Sequence, residues 1–302
     1  MNTVIDACKS RGDVFIVSGD AGLGVFDDFK ETNPERFVNL GVAEQNMAGM
    51  AAGLALTGYK VFTYNIVPFT LYRCYEQVRN DICYQKLPVV MIGIGSGVTY
   101  APQGMTHYAV EDIGIAQTLP NLVVLSPMDP IEARQAALFA LDSPDPVYVR
   151  LAKRGEPNIH STEAVDVSGP IQIVDGSGTA LLFHGSIAPE VMGARVLLEK
   201  QGIRPRVISL PMVKPLNRER LHGMLEGMEE VVTVEEHFAE DGLGGILARE
   251  YARKRPSWRL HTLGVEKKFI HDIKNTAGMR DLFGISAEKI AAYLVNLGRE
   301  QG

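Results

Sequence analysis

Three stretches of this 302-residue chain hold residue types that could do chemistry. In the first, Gly41-Val42-Ala43-Glu44-Gln45-Asn46-Met47 opens a segment where Gly or Ala fills most positions as far as Ala55, and Gly58 ends it. That composition predicts a helix with Glu44 in its first turn, where the helix dipole favours a carboxylate. The small side chains would let another backbone approach closely. The other reading of the same residues is a tight core helix with an ordinary acidic first turn. In the second stretch, an apolar, β-branched run over residues 14–18 leads into Gly19-Asp20-Ala21-Gly22-Leu23-Gly24. A strand followed by a glycine-rich turn can hold a phosphate, but the full dinucleotide fingerprint is missing, so a tight turn beside a functional cleft is the reading adopted. The third is the long Gly- and Pro-containing loop from Gly95 to Tyr108. Loops of this length inside a compact domain are often functional. This one carries His107, whose imidazole exchanges protons near neutral pH.

These groups need elements to position them. Helices are predicted over residues 2–10, 69–84, 111–118 and 130–140, and strands over 36–40, 59–65, 88–94, 122–125 and 147–151. In the 69–84 segment, Leu71, Tyr75, Val78 and Ile82 fall at helical spacing. Strands that alternate with helices argue for a parallel sheet covered on both faces. Residues 155–177 are punctuated by Gly, Pro, Ser and His without a long periodic element, which marks a linker. Beyond it the alternation resumes, with strands over 180–183, 206–210, 231–234 and 258–263 and helices over 189–200, 218–227 and 242–254. Ser286 is expected to cap a last helix. The chain therefore reads as α/β with two domains, residues 1–156 and 178–302, joined by a linker over 157–177.

Composition narrows the function classes. The chain is 46% hydrophobic and 22% charged, as is usual for a soluble globular protein. A net charge of −6 gives no general surface for a polyanion, so nucleic acid is not an expected partner. Cys8, Cys74 and Cys83 show neither a CxxC pair nor zinc spacing, which fits a reducing compartment. Residues 1–11 are too polar for a signal peptide, and no apolar run reaches the length of a membrane span. The expected location is the cytoplasm, with no membrane partner.

A family resemblance now adds to this reading. Gly41-Val42-Ala43-Glu44-Gln45-Asn46-Met47 resembles the glutamate motif of the pyrimidine-binding domain of transketolases. Glu76-Gln77-Val78-Arg79-Asn80-Asp81 is similar to the helix that follows it, and Gly104-Met105-Thr106-His107 to the family's Gly-x-Thr-His loop. Residues 119–130 look like the next strand and turn. Val213-Lys214-Pro215-Leu216 and Val234-Glu235-Glu236-His237 resemble the C-terminal domain of the family, and all these motifs occur in family order. A complete transketolase also has a diphosphate-binding domain with a Gly-Asp-Gly motif and a downstream Asn, of which this sequence has no convincing copy. The resemblance therefore implies the C-terminal subunit of a split enzyme. Such a subunit would use thiamine diphosphate, with Mg2+ held mainly by a separate N-terminal diphosphate-binding partner and no metal ligand in this chain. An α2β2 assembly is expected, since closed symmetric assemblies dominate.

The resemblance also implies roles. Activation of thiamine diphosphate needs a carboxyl group hydrogen-bonded to its pyrimidine ring, and Glu44 matches that position. Phe69 or Tyr72 would stack on the ring, with Phe69 preferred, although either could be plain core. His107 would contact substrate oxygens and move protons. Asp20 resembles an aspartate near the cofactor. Lys153 and Arg154 follow a strand end where the family often holds a sugar phosphate, though a solvated basic pair reads the same. Two departures stand out. Gln103 takes the place of an Asp that reads a substrate hydroxyl, and Gly95 the place of a phosphate-contacting His. They point away from the usual pentose phosphates, to a specialised sugar or secondary-metabolite pathway. Rival readings are the β subunit of a decarboxylating enzyme of 2-oxo acid dehydrogenase or deoxyxylulose-phosphate synthase type, and a subunit that only regulates or scaffolds.

Overall fold

A computed structural model describes residues 1–153 and 155–299. Along the first half run α1 (Asn2–Ser10), β1 (Val14–Ser18), α2 (Asp27–Thr32), β2 (Phe37–Asn39), α3 (Glu44–Leu56), β3 (Lys60–Ile66), α4 (Tyr75–Gln77), β4 (Val89–Ile94), α5 (Asp112–Gln117), β5 (Val123–Leu125), α6 (Pro130–Asp142) and β6 (Val147–Leu151). The second half holds β7 (Ile171–Val174), β8 (Gly178–Phe183), α7 (Ala188–Glu199), β9 (Arg206–Ser209), β10 (Met212–Lys214), α8 (Arg218–Leu225), β11 (Met228–Phe238), α9 (Leu243–Lys254), β12 (Arg259–Val265), α10 (Thr276–Leu282) and α11 (Ala287–Arg299).

The strands form two sheets. The first has seven strands in the order β10-β5-β6-β4-β3-β1-β2, and the second has five in the order β12-β11-β8-β9-β7. Every pairing in the first sheet is parallel except β10 with β5, and every pairing in the second is parallel except β7 with β9. The continuous apolar runs of β1 and β4 are buried on both faces, as a helix-covered parallel sheet requires. One face of the first sheet packs under α3, where Met47, Ala48, Ala51, Ala52 and Ala55 are buried, while Gly53 and Leu56 on the opposite side meet solvent.

The structure departs from the sequence expectations in several places. The 69–84 segment is not one α-helix. It is a π-helical turn at Pro68–Tyr72, the single α turn α4, and a second π-helical stretch at Val78–Cys83. Side chains compete for its backbone carbonyls: Thr70 Oγ1 donates to Ile66 O at 3.1 Å, and Cys74 Sγ to Thr70 O at 2.9 Å. The residues read as a linker include an edge strand, β7, which pairs antiparallel with β9. The expected Ser286 cap is replaced: Glu190 Oε2 accepts from Ala287 N at 2.9 Å, while the Ser286 hydroxyl donates to Asp281 at 3.4 Å. β10 carries no strand signal in the sequence. It is three residues flanked by Pro211 and Pro215, yet it crosses from the second half to the edge of the first sheet.

Candidate functional site

Parallel α/β sheets place their ligands at the carboxyl ends of the strands, where the strand order reverses. Here β1 neighbours β2 on one side and β3 on the other, so the loops after β1 and β3 flank such a point. The Gly19–Gly24 turn leaves β1, the π-helical turn leaves β3, the 95–108 loop leaves β4, and Lys153 follows β6. Most of the residues expected to act are thus delivered to one edge of one sheet.

Glu44 is the first residue of α3 and is 3% exposed. Its Oε2 accepts from Arg73 Nη1 at 2.8 Å. Among the described residues, its Oε1 accepts no hydrogen bond. The Arg73 guanidinium lies 4.6 Å from the centre of the Phe69 ring, and that ring meets His107 edge-on with centroids 5.6 Å apart. His107 also meets Tyr100, with ring centroids 6.3 Å apart, and its Nδ1 shares a hydrogen bond with Thr106 Oγ1 at 3.0 Å. The Lys153 ammonium stands 4.8 Å from the Tyr100 ring centre. Glu44, Arg73, Phe69, His107, Tyr100 and Lys153 therefore form one contiguous series of side chains.

Backbone freedom makes that series possible. Gly95 has φ +86°, and a Cβ there would lie 2.0 Å from Tyr100 Cδ2, so the edge of the ring fits against the glycine only because no side chain is there. At Gly97, with φ +58°, a Cβ would lie 2.3 Å from Glu236 Oε2, which lets the second half pack directly on the loop.

Other expected residues are placed differently. Tyr72 does not join the Phe69–His107 group. Its hydroxyl donates to Glu111 Oε2 at 3.1 Å, and burial pushes both groups' pKa values up. Asp20 sits in the left-handed region at φ 57°, in a turn fixed by Asn39, whose Oδ1 accepts from Asp20 N at 2.9 Å and Gly41 N at 3.0 Å. Asn39 thus ties the Gly19–Gly24 turn to the approach to α3. Gln103 is exposed in a short 3-10 turn. Arg154 lies outside the described residues.

Sequence reasoning missed Arg73 and Asn39. Arg73 follows a run of apolar and aromatic residues and looks like a surface charge. Asn39, two residues before Gly41 at the end of a strand, had a turn-forming signal that could have been read. It also left His237 without a role. That imidazole is buried, and its Nε2 accepts from Ile113 N at 3.1 Å and Gly114 N at 3.4 Å, in the first turn of α5. Its Nδ1 faces Phe238 O at 3.0 Å, which assigns the proton to Nδ1.

His237 belongs to a fully buried polar cluster between the two sheets. Arg150 Nε and Tyr148 Oη both donate to Asp112 Oδ2 at 2.8 Å, and Arg150 Nη2 donates to Ala109 O and Glu236 O. Glu235 accepts from Leu243 N at 2.7 Å and Gly244 N at 2.8 Å at the start of α9. Burial pushes its carboxyl up to about 7 against those donors. His184, between Ser126 Oγ at 2.9 Å and Glu235 at 3.4 Å, is pushed down to about 3 by burial and is neutral.

The site can do a definite kind of work. It offers a buried carboxylate with one open oxygen, an aromatic face, an imidazole and an outer cation. Residues 1–157 match the family model of the transketolase pyrimidine-binding domain, and residues 171–290 that of the transketolase C-terminal domain. The chain is 32% identical to one of the subunits of the apulose-4-phosphate transketolase of Actinobacillus succinogenes, covering 97% of this chain and 95% of that protein. It is also 32% identical to a putative transketolase C-terminal section of Methanocaldococcus jannaschii, over 97% of this chain and 93% of that one. Among solved structures it is similar to a split-gene transketolase seen as an inactive β4 tetramer, with a TM-score of 0.84, 28% identity, and coverage of 96% of this chain and 93% of that chain.

Proposed function

Since this chain belongs to the transketolase family and corresponds to the C-terminal subunit of its split members, we propose that its site holds the pyrimidine end of thiamine diphosphate and works in two-carbon ketol transfer from a ketose to an aldehyde. We take residues 1–156 as the pyrimidine-binding domain and 178–302, with edge strand β7 ahead of it, as the C-terminal domain. The chemistry the cofactor supplies when bound is a nucleophilic carbon and an electron sink for breaking the carbon–carbon bond beside a carbonyl.

The residues present fit that group. Glu44 would receive the pyrimidine ring nitrogen on Oε1, the oxygen with no partner among the described residues. A buried carboxylate makes a strong charge-assisted acceptor for that nitrogen once the nitrogen carries a proton. Phe69 would lie against the ring face, since Tyr72 is already committed to Glu111. His107, beside Phe69, would sit next to the reacting carbons and move protons to and from substrate oxygens. Asp20 would border the cofactor, Gln103 would read a substrate hydroxyl by its amide, and Lys153 would receive an anionic substrate end, with Arg154 next in sequence.

The diphosphate and Mg2+ fall to a separate N-terminal subunit, and the working particle is α2β2. That the related β4 tetramer is inactive agrees with a need for such a partner. A ketose phosphate from a specialised sugar pathway is the donor class this reading favours, in keeping with the relative named for apulose 4-phosphate. The cytoplasm suits the three free, buried cysteines.

The observation that carries this reading is the buried Glu44 with its open oxygen beside Phe69. Its test is the chain reconstituted with its diphosphate-binding partner. Glu44→Gln is expected to lower ketol transfer at least about a hundredfold, at the level of a lost acid–base group, while folding and assembly persist. Near-normal turnover by that variant would remove the basis of the reading.

A further inference from the structure

Arg73 is the element of the site that no motif announced. As an ion pair on a protein surface it would matter little. Its geometry is different. Its partner Glu44 is 3% exposed, and an ionised carboxylate that buried is unfavourable without a charged or hydrogen-bonding partner. Among the described residues, Arg73 supplies the hydrogen bond Glu44 receives. The π-helical turn sets the alignment: Arg73 N bonds Pro68 O at 3.2 Å, five residues back, so the guanidinium comes to lie over Phe69 while reaching Glu44. Irregular turns of this kind recur where a helix must aim a side chain at a functional site.

We propose that Arg73 is a positioning residue for the cofactor end of the site. It holds Glu44 through Oε2, so that Oε1 is left for the pyrimidine, and it braces the Phe69 ring. This rests on the assignment of Glu44 to the cofactor. The titratable groups facing Glu44 are Arg73 and the neighbouring Cys74 thiol, which burial pushes up to about 12 and so keeps neutral. Glu76 and Arg79 farther along the segment are exposed to solvent.

The test uses the assembled complex with Arg73→Met, which keeps much of the side-chain bulk, and Arg73→Lys, which keeps the charge. Thiamine diphosphate binding is measured by calorimetry, next to turnover. Arg73→Met is expected to weaken cofactor binding by about tenfold, the scale of one lost charge-assisted hydrogen bond. Arg73→Lys is expected to return binding and turnover toward the parent values. Parent-like binding in Arg73→Met overturns the proposal, as does a lysine variant no better than methionine. If Glu44→Gln is inactive while Arg73→Met matches the parent, this inference alone fails. If Glu44→Gln is active, the functional reading beneath it fails.

Discussion

At the scale of single residues, two aromatic neighbours part company. Phe69 touches both Arg73 and His107, whereas Tyr72 is bonded to Glu111. Phe69→Ala is therefore expected to raise the cofactor concentration needed for half activity severalfold or more, while Tyr72→Phe leaves it within about twofold and costs roughly 1 kcal/mol of stability for its hydrogen bond. Equal effects on cofactor demand would contradict the assignment. His107→Asn is expected to lower kcat by about a hundredfold to ten-thousandfold with cofactor affinity unchanged, as for removal of a general acid–base group. Glu44 and His107 were singled out as candidates because each sits inside a local string of distinctive residues. Arg73 and Asn39 were not, because their importance comes from partners 29 and 19 positions away. Nothing local distinguishes such a residue from a surface charge or an ordinary turn.

At the scale of elements, β11 binds the two halves together. Its Glu235-Glu236-His237 run reaches the start of α9, the Ser186 hydroxyl at 2.5 Å, the Arg280 side chain and the first turn of α5. Asp112→Ala would leave the buried Arg150 charge without its carboxylate, and is expected to cost about 3–5 kcal/mol, read as a large fall in melting temperature. Two pH trends of opposite sense follow from the same cluster. His184 stays neutral in the fold but takes up a proton near 6.5 when unfolded, so its share of stability is full above about 6.5 and is lost as pH falls toward 3. Glu235 is held up near 7, so its share is full below its ordinary value of 4.5 and is lost as pH rises through about 7. Melting curves of His184→Gln and Glu235→Gln against pH should each lack one of these slopes. The strand–helix alternation was readable from apolar runs and turns. The π-helical turns were not, since the spacing of Leu71, Tyr75, Val78 and Ile82 is too short a sample to separate four-residue from five-residue backbone bonding. β10 was hidden for another reason: three residues between prolines acquire strand character only from the edge they meet.

At the scale of the whole molecule, the chain alone is expected to be inactive, and activity should appear only when a diphosphate-binding subunit is added. Mixing the two and weighing the product by light scattering would give an α2β2 mass, and a β-only particle that turns over ketose would contradict the split arrangement. Leu23 and Val42, exposed beside the Gly19–Gly24 turn and the start of α3, are suited to contact that subunit, and Val42→Asp is expected to weaken assembly with little change in the melting temperature of the chain alone. A last consequence concerns proteolysis. Because Met212–Lys214 is laced into the margin of the opposite sheet, and Lys214 Nζ donates to Ala116 O and Leu119 O, a cut anywhere between residues 155 and 170 would sever the chain without parting its pieces. The nicked halves would migrate as one body until denatured. A first half made by itself would bare β5 and zip onto its own copies there.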